Sequence, residues 1–122
     1  MNHKVRDYLI GLAKNRSLIN YQELSDVCNL GLDMAKRSDR GKITKILEDI
    51  ANHEFSENRP ILSVIIIGKA SNIPGKRFYS ILSEIGVLKR NPDQKEKIMY
   101  FIDQVKAVHN YWATTTKTIY EN

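Results

Sequence analysis

The run Ile61 to Ile67 constrains this 122-residue chain more than any other stretch. It reads Ile-Leu-Ser-Val-Ile-Ile-Ile, with Pro60 before it and Gly68 after it. A short apolar run, β-branched at its centre and bounded by turn formers, predicts a buried strand over 61–67. Such a strand needs other elements packed around it. The residues that follow carry Ser71-Asn72 and Pro74-Gly75 as turn chemistry and Lys69, Lys76 and Arg77 as charge. They predict a basic loop, followed by a short helix from Arg77 to Glu84 that Gly86 ends.

Helical periodicity surrounds this stretch. Val5, Tyr8, Leu9 and Leu12 give one face to a helix over Lys4 to Lys14. Asn20 followed three residues later by Glu23 makes a capping box for a second, short helix, with Leu24, Val27 and Cys28 facing inward. A loop over 30–38 is anchored by Leu32 and Met34. Asp39 or Ser38 caps a third helix, Arg40 to Phe55, whose stripe is Ile43, Ile46, Leu47, Ile50 and Phe55. Asp93, with Glu96 three residues on, opens a last helix that reaches Trp112. Its stripe is Ile98, Phe101, Ile102, Val105, Val108, His109 and Trp112. The threonine-rich residues 113–122 predict an extended or disordered polar tail. The expected architecture is one mainly α domain over 1–112 with a small β-sheet, then the tail.

Composition limits the chemistry. The formal net charge of +5 favours anionic partners. A single cysteine excludes an internal disulfide and fits a reducing compartment. No apolar segment follows the basic N-terminal residues, and the apolar run is too short to span a bilayer, so the expected location is the cytoplasm. His3, His53 and His109 are far apart and lack zinc-ligand spacing. Cys28 sits on an apolar helical face without a neighbouring histidine, as a buried structural thiol does. Asp7, Asp26, Glu48, Asp49 and Glu54 form no acid–base pair. Tyr111 and Trp112 read as the anchor of the last helix on the core. No catalytic residue, metal or cofactor is expected.

The order helix, lead-in, short helix, basic-tipped helix, strand, basic loop is that of a winged helix-turn-helix. In that arrangement the second helix of the pair enters the major groove and the wing touches the backbone. Lys36, Arg37, Arg40, Lys42 and Lys45 sit where a recognition helix needs charge, and Lys69, Lys76 and Arg77 sit where a wing needs it.

Ile19-Asn20-Tyr21-Gln22-Glu23-Leu24-Ser25 resembles the Thr-Tyr-Gly-Glu-Leu-Ala entry to the helix-turn-helix of the alkylguanine-DNA alkyltransferases. In that family a recognition helix, an Asn-Pro and an apolar strand lead to a Pro-Cys-His-Arg active site. Arg59-Pro60 and the run 61–67 stand in the matching places, so the resemblance covers about Leu18 to Tyr79. Ile66, Ile67 and Gly68 stand where the cysteine would lie. Alkyl transfer needs an activated thiolate. The resemblance therefore implies the scaffold and DNA docking, without the reaction. The chain also resembles a group of small bacterial proteins to which no activity attaches. The shared pattern is Tyr21 to Leu24, Gly31 to Met34, Arg59 to Ser63, Pro74 to Phe78, and Tyr111-Trp112. Two functions are expected: a non-enzymatic module binding duplex DNA, or a protein-interaction module such as an immunity or inhibitor protein in bacterial defence or competition.

Overall fold

A computed structural model describes residues 1–68 and 93–121. In chain order the elements are α1 (His3–Lys14), β1 (Ile19–Asn20), α2 (Tyr21–Val27), α3 (Arg37–Ser56), a 3-10 turn (Leu62–Ile65), β2 (Ile66–Ile67) and α4 (Gln94–Glu121). The fold is mainly α with a small sheet. β1 and β2 pair in parallel, with Ile19 opposite Ile66 and Asn20 opposite Ile67. A parallel pair needs a long crossover, and α2 and α3 supply it. Among the described residues no helix is long and apolar enough to cross a membrane.

The helix ends follow from local chemistry. Asn2 Oδ1 accepts the Val5 amide at 3.0 Å and caps α1. Asn20 Oδ1 accepts the Glu23 amide at 2.8 Å and caps α2, while the Glu23 carboxylate accepts the Asn20 side-chain amide and not its backbone amide, so the expected capping box is formed in its first half only. Asp93 Oδ1 accepts the Glu96 amide at 2.8 Å at the start of α4. At their C-termini α1, α2 and α3 share one device. Arg16, Asn29 and Asn58 take positive φ of 54°, 53° and 57°. The next amides, of Ser17, Leu30 and Arg59, each reach back 2.9 Å to the carbonyls of Leu12, Ser25 and Glu54. This left-handed closure satisfies carbonyls that the helix end would leave bare. Asparagine tolerates it; arginine does so at a small cost.

The run 61–67 is the hub, but not as a strand. Only Ile66 and Ile67 are extended; Leu62 to Ile65 wind into a 3-10 turn. Leu62, Val64, Ile65 and Ile66 are fully buried, with α1, α3 and α4 all packed against the turn. A pleated strand would present two faces, whereas this segment is covered all round, and tertiary burial overrides β-propensity. Val5, Leu9 and Ala13 of α1, Ile43, Leu47, Ile50 and Ala51 of α3, and Val108 and Trp112 of α4 complete the core.

Several boundaries and faces differ from the sequence pattern. Tyr8, Val27 and Phe55 are exposed, and Ala13, Ser25 and Glu54 are buried in their stead. α3 starts at Arg37 with Lys36 in the cap position, not at Arg40. Asp39 is drawn from the capping role because its Oδ2 accepts the Asp33 amide at 2.9 Å. On α4, Ile98 and Ile102 are exposed, so the expected stripe is apolar core only over its C-terminal half. α4 continues past Trp112 to Glu121 instead of giving way to an extended tail. No glycine or proline follows Trp112 to stop it. The helix expected over 77–84 lies outside the described residues.

Truncating the hub is the direct test of this packing. Leu62→Ala should lower the unfolding free energy by about 2–5 kcal/mol, read from urea melts. A change near zero would show that the 3-10 turn is not the centre of the core. Burial pushes the Tyr100 phenol up to about 12, against 10 in an open chain. The unfolded state therefore ionises first. The part of the stability that Tyr100 contributes should be constant below about pH 10 and fall as pH rises from there towards 12, following the smaller loss that the buried Cys28 thiol brings from about pH 9. Alkaline melts that show no such decline would contradict the burial.

Candidate functional site

Two polar constellations stand out, one at each end of α3. At the N-terminal end Lys36, Arg37, Arg40, Lys42 and Lys45 are all exposed. The helix period turns Lys42 and Lys45 away from the buried Ile43–Leu47–Ile50 stripe. Lys36 gives α3 no side-chain cap, so its first amides and this cationic group lie together. The charge is not pure. From Lys36 to Asp49 five cations stand against Asp39, Glu48 and Asp49, a net +2. Lys42 Nζ is 3.8 Å from Asp39, and Lys45 Nζ is 3.3 Å from Asp49. Both lysines remain open to solvent, at 68% and 72% exposure. Pairs so exposed are worth little and yield readily to a competing anion. Arg40 differs, since its Nη1 donates to the Met34 carbonyl at 2.8 Å and is engaged in holding the preceding loop.

At the C-terminal end Glu54 is fully buried. Its Oε1 accepts Arg6 Nε from α1 at 2.6 Å, and its Oε2 accepts Arg59 Nε at 2.6 Å. Arg59 Nη2 lies 3.1 Å from His53 Nε2, and because a guanidinium only donates, that ring nitrogen is the acceptor. The Arg6 guanidinium stands 5.7 Å from the Trp112 ring, and Tyr111 meets Trp112 edge-on at 5.0 Å. The hydrogen bond to Glu54, chiefly, pushes Arg59 above its already high value. This cluster clamps α1, α3, the segment before the hub and α4 together. Each oxygen of its carboxylate is engaged by one guanidinium.

The sequence pattern passed over Glu54. The signal was present, because Glu54 continues the Ile43–Leu47–Ile50 register where Phe55 does not. A carboxylate on an apolar stripe requires a cationic partner, and Arg59 lies one helix end away. The other sequence expectations settle simply. Cys28 is a buried free thiol, and burial pushes it up, away from thiolate chemistry. His109 is buried with Nε2 3.1 Å from the Ser17 carbonyl, a packing role. Among the described residues no group of three or more His, Cys, Asp or Glu side chains is placed to hold a metal ion. Lys69, Lys76 and Arg77 lie outside the described residues.

No family model, curated protein or solved structure was found to match the chain.

Removing one member of the buried ion cluster should be costly. Glu54→Ala leaves two guanidiniums facing each other in the interior and should lower stability by about 3–5 kcal/mol in denaturant melts. A change under about 1 kcal/mol would mean that water, not Glu54, solvates Arg6 and Arg59.

Proposed function

We propose that the chain is a non-enzymatic module that docks on duplex DNA through the first turns of α3, on a winged-helix scaffold like that of the alkylguanine-DNA alkyltransferases. The observation that carries the reading is the exposure of all five cations, Lys36, Arg37, Arg40, Lys42 and Lys45, at the start of one helix. Phosphate contacts would fall to Lys36, Arg37, Lys42 and Lys45, because Arg40 is engaged with Met34. The element order supports the scaffold: α1, the β1 lead-in, the α2–α3 pair, then β2 ahead of the basic residues 69–77. Two features set it apart from a plain helix-turn-helix. Residues 28–36 replace a turn of about three or four residues, and the sheet pairs in parallel. Where the resemblance would put the alkyltransferase cysteine stand Ile66, Ile67 and Gly68, of which Ile66 is fully buried, so this reading carries no alkyl transfer.

The second reading is a protein-interaction module, such as an immunity or inhibitor protein. Ile98, Met99 and Ile102 favour it, since they are 41%, 54% and 45% exposed along one side of α4. Neither reading needs a cofactor.

Gel-shift titrations over a salt series separate the two. The wild-type protein should bind duplex DNA with an affinity that falls as salt rises. The variant Lys36→Ala/Arg37→Ala/Lys42→Ala/Lys45→Ala should bind more weakly, with a slope flatter by about one for each phosphate it no longer neutralises. An unchanged slope would remove α3 from the interface. Absence of duplex binding at low salt, together with a stoichiometric protein partner, would favour the second reading.

A further inference from the structure

The connection from α2 to α3 is long for a helix pair, yet its backbone donors from Leu32 to Lys36 are satisfied in sequence. The Leu32 amide donates to Ser25 Oγ at 3.0 Å, Asp33 to Asp39 Oδ2 at 2.9 Å, and Met34 to Gln22 Oε1 at 2.8 Å. Ala35 donates to Asp33 Oδ1 at 2.9 Å and Lys36 to the Asp33 carbonyl at 2.9 Å. Three of these acceptors are side chains of the flanking helices. Gly31 makes the turn into the segment at φ 70°, where a side chain would be strained. Leu32 and Met34 also pack against the core.

One residue holds this segment from two directions. Gln22 Nε2 donates to the Leu32 carbonyl at 2.9 Å, while its Oε1 takes the Met34 amide. The side-chain amide does what a peptide group of a neighbouring strand would do. Met34 passes the constraint on, because its carbonyl accepts Arg40 Nη1 from α3. Gln22, Met34 and Arg40 thus form a continuous tie from α2 to the first turns of α3, with Lys36 and Arg37 held between them.

We propose that Gln22 is a positioning residue for the cationic start of α3, and that the rigidity it confers there makes that start selective for duplex over single-stranded DNA. The inference rests on the DNA-binding reading. A backbone already held at Lys36 and Arg37 has less freedom to lose when these residues meet the regularly placed phosphates of a duplex. A flexible single strand adapts to any arrangement of cations and gains nothing from the tie. Gln22 touches no phosphate in this scheme.

The test is binding of one oligonucleotide, as duplex and as single strand, over a salt series with the full chain. Gln22→Ala should weaken duplex binding roughly five- to tenfold, through the absence of two hydrogen bonds that hold the loop. Its salt slope should stay that of the wild type, because every phosphate-facing cation is still present, and single-strand binding should hold. Gln22→Met keeps the side-chain volume, carries no charge and removes both bonds. It should behave as Gln22→Ala does, with faster amide exchange at Met34 and unchanged exchange at Leu32, whose amide rests on Ser25 Oγ. Thermal melts confirm that either variant is folded before binding is read. Wild-type duplex affinity in both variants would overturn the positioning role and leave the DNA reading standing. A flattened slope in either would also overturn it, by making Gln22 part of the DNA interface itself. A wild-type protein without salt-dependent duplex binding would overturn the DNA reading and this inference with it.

Discussion

The carboxylate of Glu54, closed off from water between two guanidiniums, is the interaction on which the arrangement of helices depends. Burying a lone carboxylate is prohibitive, so the site exists only when Arg6 and Arg59 both arrive. Arg6 brings α1, and through its place beside Trp112 it brings α4. Arg59 brings the segment that enters the hub. Arginine suits this work because its planar, weakly hydrated head can face a carboxylate and an aromatic ring together. The gain lies less in stability than in uniqueness, since a shifted α3 would strand a charge. α3 is one helix, so clamping its C-terminal end also fixes the direction of its cationic start.

Around that clamp the apolar run does the burying. Its centre is wound instead of extended because helices pack against it on several sides. Pairing is left to Ile66 and Ile67, which meet β1 over two residues only. So short a ladder adds little by itself. It sets a register, holding the entrance of α2 against the exit of the hub.

Local chemistry was legible in the sequence. The caps at Asn20 and Asp93 and the inward positions of Val5, Leu9, Cys28, Val108 and His109 follow from neighbours within a few residues, though the Ser17 carbonyl that meets His109 lies 92 residues away. What was not legible depends on partners far along the chain. Arg59 hints from nearby that Glu54 is buried in place of Phe55; Arg6 decides it, from 48 residues away. Asp39 looks like a cap until Asp33 claims it. Strand propensity in Val64 and Ile65 lost to the geometry of packing. The basic cluster was visible at once, but not the division of labour within it, where Arg40 serves the loop and its neighbours face solvent. Gln22 carried no signal at all, because a surface glutamine on a short helix looks ordinary until both ends of its amide are seen to be engaged.

The left-handed closure at Arg16 has a consequence for how the chain comes together during synthesis. It turns the chain after α1 towards α4. There the Arg16 guanidinium donates to Asn110 Oδ1 at 2.9 Å across 94 residues, and the Ser17 carbonyl meets His109 across 92. α1 therefore leaves the ribosome well before the helix on which its end is seated. Helices as short as α1 and α2 are marginal alone and gain most of their stability from packing. The hub covers α1 and α3 in part, and the remaining apolar side closes when α4 arrives. The domain matures in one late step, and until then its core needs shelter from other nascent chains.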